Sequence, residues 1–369
     1  MIYFDNAATT MPLNNSYEPY YNPSSPHKLG ILTERALRNA RVKIAIILKC
    51  NPDELIFTSG GTEANNIAIL GYTLAKTRQG VSLLCLPYEH PSVIAPMKFA
   101  QERGWASYDT LNLNNIPDGN LLISISHVNH ETGDKININD IASYIKKKNP
   151  YAIIHVDGAQ GFCKETLNLN NIDMYSFSGH KCHSPTGVGG LWIRKGLRIV
   201  PIIYGGGQEN GLRAGTENVN GIAQMSDAVE ILNKNIASYH LHVCNIREVL
   251  LQIQSTLPNV TVNSLKMHSS DDIKNRIYDS SPYIINMSFL GIKGEVLVHA
   301  LSDKGVHVSM GAACHKHKRG KSSLESMGFG TNIAESAVRF SFSAYNTLLE
   351  AERACDIIIN EVKRLRKII

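Results

Sequence analysis

Short apolar runs alternate with helically spaced apolar stretches along the first half of the chain. The runs predict strands over 54–58, 81–86, 121–126, 152–157 and 174–178. Between several of them apolar residues recur at helical spacing, as they do over 30–48. This alternation predicts an α/β domain with a mostly parallel sheet and crossover helices, in which ligands gather at the carboxyl ends of the strands.

The second half of the chain has a different pattern. A long helical region is predicted from Ile222 to about Leu257, and short strands and helices follow it. We therefore predict three parts: a large α/β domain over 15–255, a smaller α+β domain over 256–369, and an N-terminal segment over 1–14 that packs with the smaller domain.

Polar side chains that could bind a cofactor or take part in catalysis follow two of the predicted strands. Asp157 ends one strand, and Ser178 and Lys181 follow the next one, 24 residues further on. A lysine can form a Schiff base with the aldehyde of pyridoxal phosphate (PLP), and an aspartate can keep the pyridine nitrogen protonated. The alternative is that these are a buried aspartate and an unrelated surface lysine.

A glycine turn joins another predicted strand to a helix. Ser59-Gly60-Gly61-Thr62 follows the strand over 54–58, so backbone N–H groups, the helix dipole and the Thr62 hydroxyl could hold a phosphate. A tight connection without any ligand would give the same sequence, so this turn is a weak signal alone.

Composition narrows the class of protein. The 369 residues are 43% hydrophobic and 19% charged, with a net charge of +5, as in an ordinary globular enzyme. The first residues lack a signal-peptide pattern, and no apolar stretch is long enough to span a membrane. Seven irregularly spaced cysteines without a CxxC pair favour reduced thiols, so we expect a cytoplasmic location and no membrane partner.

Ten motifs follow one another along the chain: YFDNAATT, NPSSPH, FTSGGTEANN, YEH, HVNHETG, IHVDGAQ, SFSGHK, GGGQENGLRAGTENV, GAAC and VRFSFSAYN. Taken in order, they make the chain resemble the cysteine desulfurase family of fold-type-I, class-V aminotransferase-like PLP enzymes, close to the group-I branch with a long cysteine loop. The fold that this resemblance implies is a seven-stranded, mostly parallel sheet with a smaller α+β domain.

The resemblance implies which residues bind the cofactor, act in catalysis and bind the substrate. Lys181 would be the Schiff-base lysine and Asp157 the partner of the pyridine nitrogen, while His90 would stack on the ring and act in catalysis. The remaining cofactor residues implied are Gly61, Thr62, His130, Gln160, Ser178, His180 and, toward the neighbouring subunit of a homodimer, Thr216. On the substrate side the resemblance implies Arg339 for the carboxylate, with His130 and Asn22 as further candidates.

Cys314 lies where the family keeps its nucleophile. The resemblance implies that its thiolate takes the sulfur of L-cysteine, leaving L-alanine and a persulfide for an acceptor in Fe–S cluster assembly or tRNA thiolation. Five basic or histidine residues follow it, over 315–319, and nearby cations favour a thiolate.

Three departures from the family pattern stand out. His130 replaces the second of two asparagines, which could alter cofactor protonation or substrate preference. Cys182 follows Lys181 directly, where the family has an aliphatic residue; it could react or only fill space. The loop after Cys314 reads HKHKRGKSS rather than small and hydroxyl-rich, which suggests an acidic acceptor protein or an RNA substrate; direct binding of nucleic acid is not expected.

Two alternatives remain open at this point. A selenocysteine lyase of the same fold would release selenium from L-selenocysteine without needing Cys314. A non-catalytic protein that binds metal or nucleic acid is the other, but Cys314, His315 and His317 match no usual zinc spacing, and the basic loop has no aromatic residue to stack on bases. We expect no metal site.

Overall fold

The computed structural model describes residues 1–13, 20–264, 278–310 and 322–367. The chain divides into two compact units. The large unit comprises Met11–His127 and Asn137–Lys234, and the small unit comprises Met1–Thr10, Val128–Ile136 and Asn235–Ile369.

The described part of the chain contains strands of two to six residues and α-helices of four to 21 residues. The strands are β1 Ile2–Tyr3, β2 Leu55–Thr58, β3 Ser82–Cys85, β4 Ser107–Thr110, β5 Leu121–Ser126, β6 Asp134–Ile136, β7 Ile153–Asp157, β8 Met174–Ser178, β9 Gly189–Ile193, β10 Val260–Val262, β11 Tyr278–Ser280, β12 Ile284–Phe289, β13 Val306–His307, β14 Ser309–Met310 and β15 Ala337–Ser341. The helices are α1 Lys28–Leu48, α2 Gly61–Lys76, α3 Pro91–Glu102, α4 Ile138–Lys148, α5 Val219–Lys234, α6 Ile236–Thr256, α7 Gly294–Asp303, α8 Ser323–Ser326, α9 Thr331–Glu335 and α10 Leu348–Arg366.

A seven-stranded sheet forms the centre of the large unit, in the order β2-β9-β8-β7-β5-β3-β4. Neighbouring strands run parallel from β8 to β4, whereas β9 is antiparallel to both β8 and β2. The predicted mostly parallel sheet is therefore present, and its strands β4 and β9 are elements that the sequence patterns did not predict. Strands β5 and β8 are buried at every position, as expected for a sheet covered on both faces.

Helices cover this sheet and position the residues at the strand ends. Helix α2 packs on α3 and against the sheet, and α1 packs on α5. Buried side chains of α2 and α3, including Ile67, Tyr72 and Met97, form one core with strand residues such as Leu83 and Leu122. This core fixes the first turns of α2 and α3 relative to the ends of the strands.

The small unit is built on an antiparallel sheet in the order β10-β12-β15-β14. Helices α6 and α10 pack on each other, and their apolar faces join the core formed by β12 and β15. Strand β1 pairs in parallel with β13, and β6 pairs with β11.

The division of the chain differs from the predicted domain boundaries. The helical region predicted over 222–257 consists of two helices, α5 and α6, which are separated at Asn235 with φ −113° and ψ 11°. The compact small unit begins at this break, about one helix earlier than the predicted boundary at residue 256. Residues 128–136 also belong to it, since Asn286 of β12 donates a hydrogen bond to the Glu131 carbonyl.

Candidate active site

Two neighbouring parallel strands of the large unit carry the residues at the centre of the site. Asp157 ends β7, and Ser178 ends β8, where a short 3-10 turn over Gly179–Lys181 begins. Because β7 and β8 pair in register through Asp157 and Ser176, their carboxyl ends lie side by side. The carboxylate of Asp157 is buried, whereas Lys181 is partly accessible to solvent.

A chain of hydrogen bonds connects Asp157 to His90. Asn65 donates from Nδ2 to Asp157 Oδ2 at 2.8 Å and to Ser92 Oγ at 2.9 Å. The Ser92 hydroxyl lies 2.7 Å from His90 Nδ1, and the Ser92 backbone N–H donates to the same nitrogen at 3.1 Å. We call this set of four residues the Asp157–His90 chain.

The Asp157–His90 chain fixes the form of the imidazole. Since the backbone N–H of Ser92 already donates to Nδ1, that nitrogen is an acceptor and the neutral ring carries its proton on Nε2. The surrounding protein lowers the pKa of His90 by desolvating the ring, and the charge of Lys181 lowers it further while that of Asp157 raises it. His90 is thus a neutral ring that responds to both residues.

The glycine turn lies beside Ser178. A Cβ atom built on Gly61 would meet the Ser178 Cβ at 3.5 Å, and one on Gly60 would meet the Ser178 Oγ at 3.7 Å. Helix α2 begins at Gly61, so its first backbone N–H groups and the Ser178 hydroxyl share one location. The exposed Thr62 follows and, with His90, lines a groove of about 470 Å³.

His180 lies in the 3-10 turn, between Ser178 and Lys181. Desolvation lowers its pKa to about 4, and the charges of Lys181 and Lys164 act in the same direction. The ring is therefore neutral near pH 7, when it can donate or accept one hydrogen bond at each nitrogen.

Gln160 is buried and is held by a lysine. Lys164 Nζ donates to Gln160 Oε1 at 3.2 Å, and both side chains are buried. An ammonium group can only donate, so the amide oxygen must face Lys164 and the amide Nε2 must point elsewhere. Lys164 therefore determines which end of Gln160 is offered to a ligand.

A second carboxyl group is buried at the end of β5. Glu89 Oε1 accepts from the backbone N–H of Ser126 at 2.8 Å and from its hydroxyl at 3.3 Å. Burial raises the pKa of Glu89 to about 8, and the nearby charge of Asp157 raises it further against the Ser126 hydrogen bonds. Near pH 7 Glu89 is therefore mostly protonated.

The small unit brings together Arg339 and the segment around His130. Arg339 Nη1 donates to the His130 carbonyl at 2.8 Å, and Nη2 pairs with Asp5 Oδ1 at 3.0 Å. The remaining Nε atom is buried and has no hydrogen-bond partner among the described residues. A carboxylate is the kind of group that such a donor requires.

Glu131, next to His130, is also buried. Burial raises its pKa to about 7, while a hydrogen bond with Ser323 and the charge of Arg339 lower it. His130 Nε2 lies 3.7 Å from Glu131 Oε1, so the imidazole and the carboxyl group are close enough to influence one another.

The other predicted site residues have less defined surroundings. Asn22 and Thr216 are exposed in the large unit, and Asn22 Oδ1 accepts from the backbone N–H of Ser24 at 2.9 Å. Cys314 lies outside the described residues, as does most of the basic loop that follows it.

Comparison with known proteins places the chain among relatives of similar length. The family model for aminotransferase class-V matches residues 2–353. A cysteine desulfurase from Nostoc sp. is 34% identical over 99% of this chain and 94% of its own length. The chain belongs to the cysteine desulfurase family.

Solved structures agree with this family assignment. One described as a NifS-like protein is 31% identical, with a TM-score of 0.87 over 98% of this chain and 99% of its own. Another, SspA in complex with cysteine, is 26% identical, with a TM-score of 0.76 over 94% of this chain and 100% of its own. These comparisons confirm the predicted family, the fold class and the predicted PLP-dependent cysteine desulfurase function.

The cysteine desulfurase family is PLP-dependent, and the donors of the large unit fit that cofactor. A glycine turn at a helix start beside a serine hydroxyl suits a phosphate, and a buried carboxylate suits a protonated pyridine nitrogen. The Asp157 carboxyl group accepts hydrogen bonds from the Asn65 amide and from the Ala159 backbone N–H at 3.0 Å, which hold it in one orientation.

Some residues of the site were not predicted from the sequence. Asn65 and Glu89 stand in motifs that carried the resemblance, but no role was given to either of them. Ser92 could have been found as the residue two positions after His90 at a helix start, where side chains and backbone commonly exchange hydrogen bonds. Lys164 gave no signal, since one turn of chain after Gln160 is an ordinary place for a surface lysine.

Proposed function

We propose that this protein converts L-cysteine into L-alanine and transfers the sulfur to Cys314 as a persulfide. The observation that carries the proposal is the Asp157–His90 chain, which combines an oriented carboxylate with a neutral imidazole. Lys181 follows the neighbouring strand β8, and its positive charge lowers the pKa of His90.

The large unit would hold the cofactor. Lys181 would take the aldehyde and Asp157 the pyridine nitrogen, with His90 over the ring and the Gln160 amide Nε2 toward the phenolic oxygen. The phosphate would be held by Gly61, Thr62, Ser178 and His180, and by Thr216 from the partner subunit of a homodimer. When bound, PLP supplies an electron sink for bonds broken next to the substrate's α-carbon.

Arg339 would bind the substrate's carboxylate. Its Nη atoms are already used by Asp5 and the His130 carbonyl, so the charge is fixed in place before substrate arrives. The buried Nε atom would then donate to the carboxylate. We infer that the His130 side chain and Asn22 also contact the substrate, and that His130 reaches the cofactor as well.

Cys314 would act as the sulfur acceptor. Its thiolate attacks the substrate's sulfur, an S–S bond forms, and the C–S bond breaks with its electron pair going to carbon. Protonation of that carbon gives L-alanine, so no external oxidant or reductant is needed. The persulfide would then pass to an acceptor protein, and the basic residues after Cys314 favour an acidic one.

Activity assays on variants test this function. Lys181→Ala should abolish alanine formation, and Cys314→Ala should abolish it with L-cysteine, whereas Cys355→Ala should change little. Mass spectrometry after incubation with cysteine should find one added sulfur on Cys314. If Cys314→Ala keeps most of its activity with L-selenocysteine and the wild type prefers that substrate, the protein is a selenocysteine lyase and the proposal fails.

A further inference from the structure

Two buried cysteines meet next to the proposed cofactor lysine. Cys182 follows Lys181 directly, and Cys163 lies six residues after Asp157. The two thiols hydrogen-bond to each other, and Cys182 Sγ also donates to the Phe162 carbonyl at 3.3 Å. We call these two residues the thiol pair.

Tight backbone turns hold the thiol pair together. Cys182 N–H donates to the Gly179 carbonyl at 2.7 Å, which closes the 3-10 turn. Cys163 has a left-handed backbone with φ 58°, and the N–H groups on either side of it, of Phe162 and Lys164, donate to Gly158 and Gly161. A non-glycine residue adopts this conformation when its surroundings impose it, so the sulfur of Cys163 has little freedom to move away.

Positive charges surround the thiol pair. The hydrogen bond from Cys163 lowers the pKa of Cys182, and the charges of Lys164 and Lys181 lower it further against the effect of burial. By contrast, burial raises the pKa of Cys50, of Cys85 and of Cys355. Cys182 is thus the thiol that loses its proton more easily than these three, and a thiolate is the form that oxidants attack.

We propose that Cys163 and Cys182 are a redox pair that a hydroperoxide converts into a disulfide. The Cys182 thiolate attacks the peroxide oxygen to give a sulfenic acid, and the Cys163 thiol then displaces water from that sulfur. Overall two thiols lose two protons and two electrons, and hydrogen peroxide becomes two water molecules. A thiol reductant reverses the reaction by exchange.

The disulfide would join two segments of the proposed site. One is the turn after β7, which carries Gln160 and Lys164; the other is the 3-10 turn with Lys181. Oxidation would therefore restrict Lys181 and remove the thiol whose ionisation Lys164 favours. The bond itself depends only on the two cysteines and forms whether or not the proposed reaction is correct.

Peptide mapping of the oxidised holoenzyme tests the redox pair. Cys314→Ala protein, loaded with PLP, is treated with hydrogen peroxide, alkylated and digested without reduction. We expect a mass lower by about 2 Da, a linked peptide joining Cys163 to Cys182, and loss of the link with dithiothreitol. The link should persist in a further Cys85→Ser variant and disappear in Cys163→Ser and in Cys182→Ser.

Two results would overturn the proposal. If the folded parent protein keeps both thiols alkylatable after denaturation, at peroxide doses that oxidise Cys314 in the wild type, the pair is not redox-active. A disulfide between Cys163 and Cys182 that forms only after the protein has unfolded would also overturn the proposal. Circular dichroism monitors the unfolding. Because the parent protein carries both cysteines, the test does not depend on the variants folding.

Discussion

Asn65 donates one amide hydrogen to Asp157 and the other to Ser92, at 2.8 Å and 2.9 Å. Its own carbonyl oxygen is buried and has no hydrogen-bond partner in the described part of the chain. Asn65 therefore acts through its NH2 group, and it connects the residue proposed under the cofactor ring to the one proposed above it.

Replacing Asn65 by alanine should weaken cofactor binding. The Asp157 carboxyl group loses a hydrogen bond and the orientation that Asn65 gives it, so it holds the pyridine nitrogen less firmly. A hydrogen bond to a charged group contributes about 1.5–3 kcal/mol, which corresponds to a PLP Kd raised about 10- to 100-fold. Titration of the apoprotein with PLP measures this, and Asn120→Ala, at an asparagine whose amide donates to the uncharged backbone carbonyl of Gly80, is the matched control. An unchanged Kd would contradict the role of Asn65.

Replacing Ser92 by alanine should change the titration of His90. The variant keeps the backbone N–H at Nδ1 but loses the hydroxyl, and with it one bond that favours the neutral ring. The pKa of His90 should rise toward its ordinary value. If the neutral ring is the active form, the acid limb of kcat/KM moves to higher pH. Ser92→Thr should restore the original limb, and identical profiles for all three proteins would exclude the effect.

Glu89 should make the stability of the protein depend on pH. Its pKa is about 8 in the folded state and about 4.5 unfolded, so folding favours the protonated form. That contribution is fully present below pH 4.5 and is lost as the pH rises through 8. Glu89→Gln mimics the protonated form and does not titrate. Its free energy of unfolding, relative to that of the wild type, should therefore be higher at pH 8 than at pH 4.5 by up to about 4 kcal/mol.

Urea unfolding at about pH 5 and about pH 9 measures the change for Glu89→Gln. Glu102→Gln, at an exposed position of α3, is the same substitution without burial and should show no such gain. A gain of equal size at both pH values would mean that Glu89 is ionised in both or in neither.

The ion pair between Arg41 and Glu209 should be important for stability. Arg41 binds both carboxylate oxygens, at 2.5 Å and 2.9 Å, and the Phe57 backbone N–H donates to the same buried carboxylate at 2.8 Å. Arg41→Met leaves that charge buried without its cation, and should destabilise the protein by about 3–5 kcal/mol.

An exposed ion pair provides the control for Arg41. Lys43 pairs with Asp227 at 2.7 Å at the surface, and Lys43→Met should cost under about 1 kcal/mol. Thermal or urea unfolding compares the two substitutions. Equal losses would show that burial of Glu209 is not the cause, and the double variant with Glu209→Leu should recover part of the stability lost in Arg41→Met.

Lys164→Met should alter the cofactor's spectrum through Gln160. Without the ammonium the Gln160 amide can turn, and the proposed hydrogen bond to the phenolic oxygen is lost in part of the molecules. The pKa read from the visible absorption band of bound PLP should shift by about half a unit or more, and Lys164→Arg should restore it. The same pKa in Lys164→Met and wild type would leave Lys164 with a structural role alone.

The sequence predicted the residues at the strand ends better than those that support them. Asp157 and Lys181 could be found because short apolar strands end immediately before them, and this pattern is local. Asn65 contacts Asp157 only after the chain has folded, because 92 residues separate the two. A contact of this kind leaves no periodicity or spacing for sequence patterns to detect.

Strand β9 and the boundary at Asn235 were also not predicted, because the local pattern at each suggests a different structure. Strand β9 reads Gly-Gly-Leu-Trp-Ile, and its glycines resemble a turn, yet a Cβ on Gly189 would meet the Phe177 carbonyl at 2.6 Å. Close strand packing therefore requires glycine there. At Asn235, helical spacing continues on both sides of the break, so the apolar pattern alone could not separate α5 from α6.

The pairing of β1 with β13 has a consequence for biosynthesis. Ile2 pairs with Val306, and Phe4 contributes to the same core, so both residues are synthesised about 300 positions before these partners. On the ribosome the large unit's strands are complete by Ile193, well before those partners emerge. The side chains of Ile2 and Phe4 therefore stay without these native partners until residue 306 has emerged, so the core of the small unit cannot be completed before then.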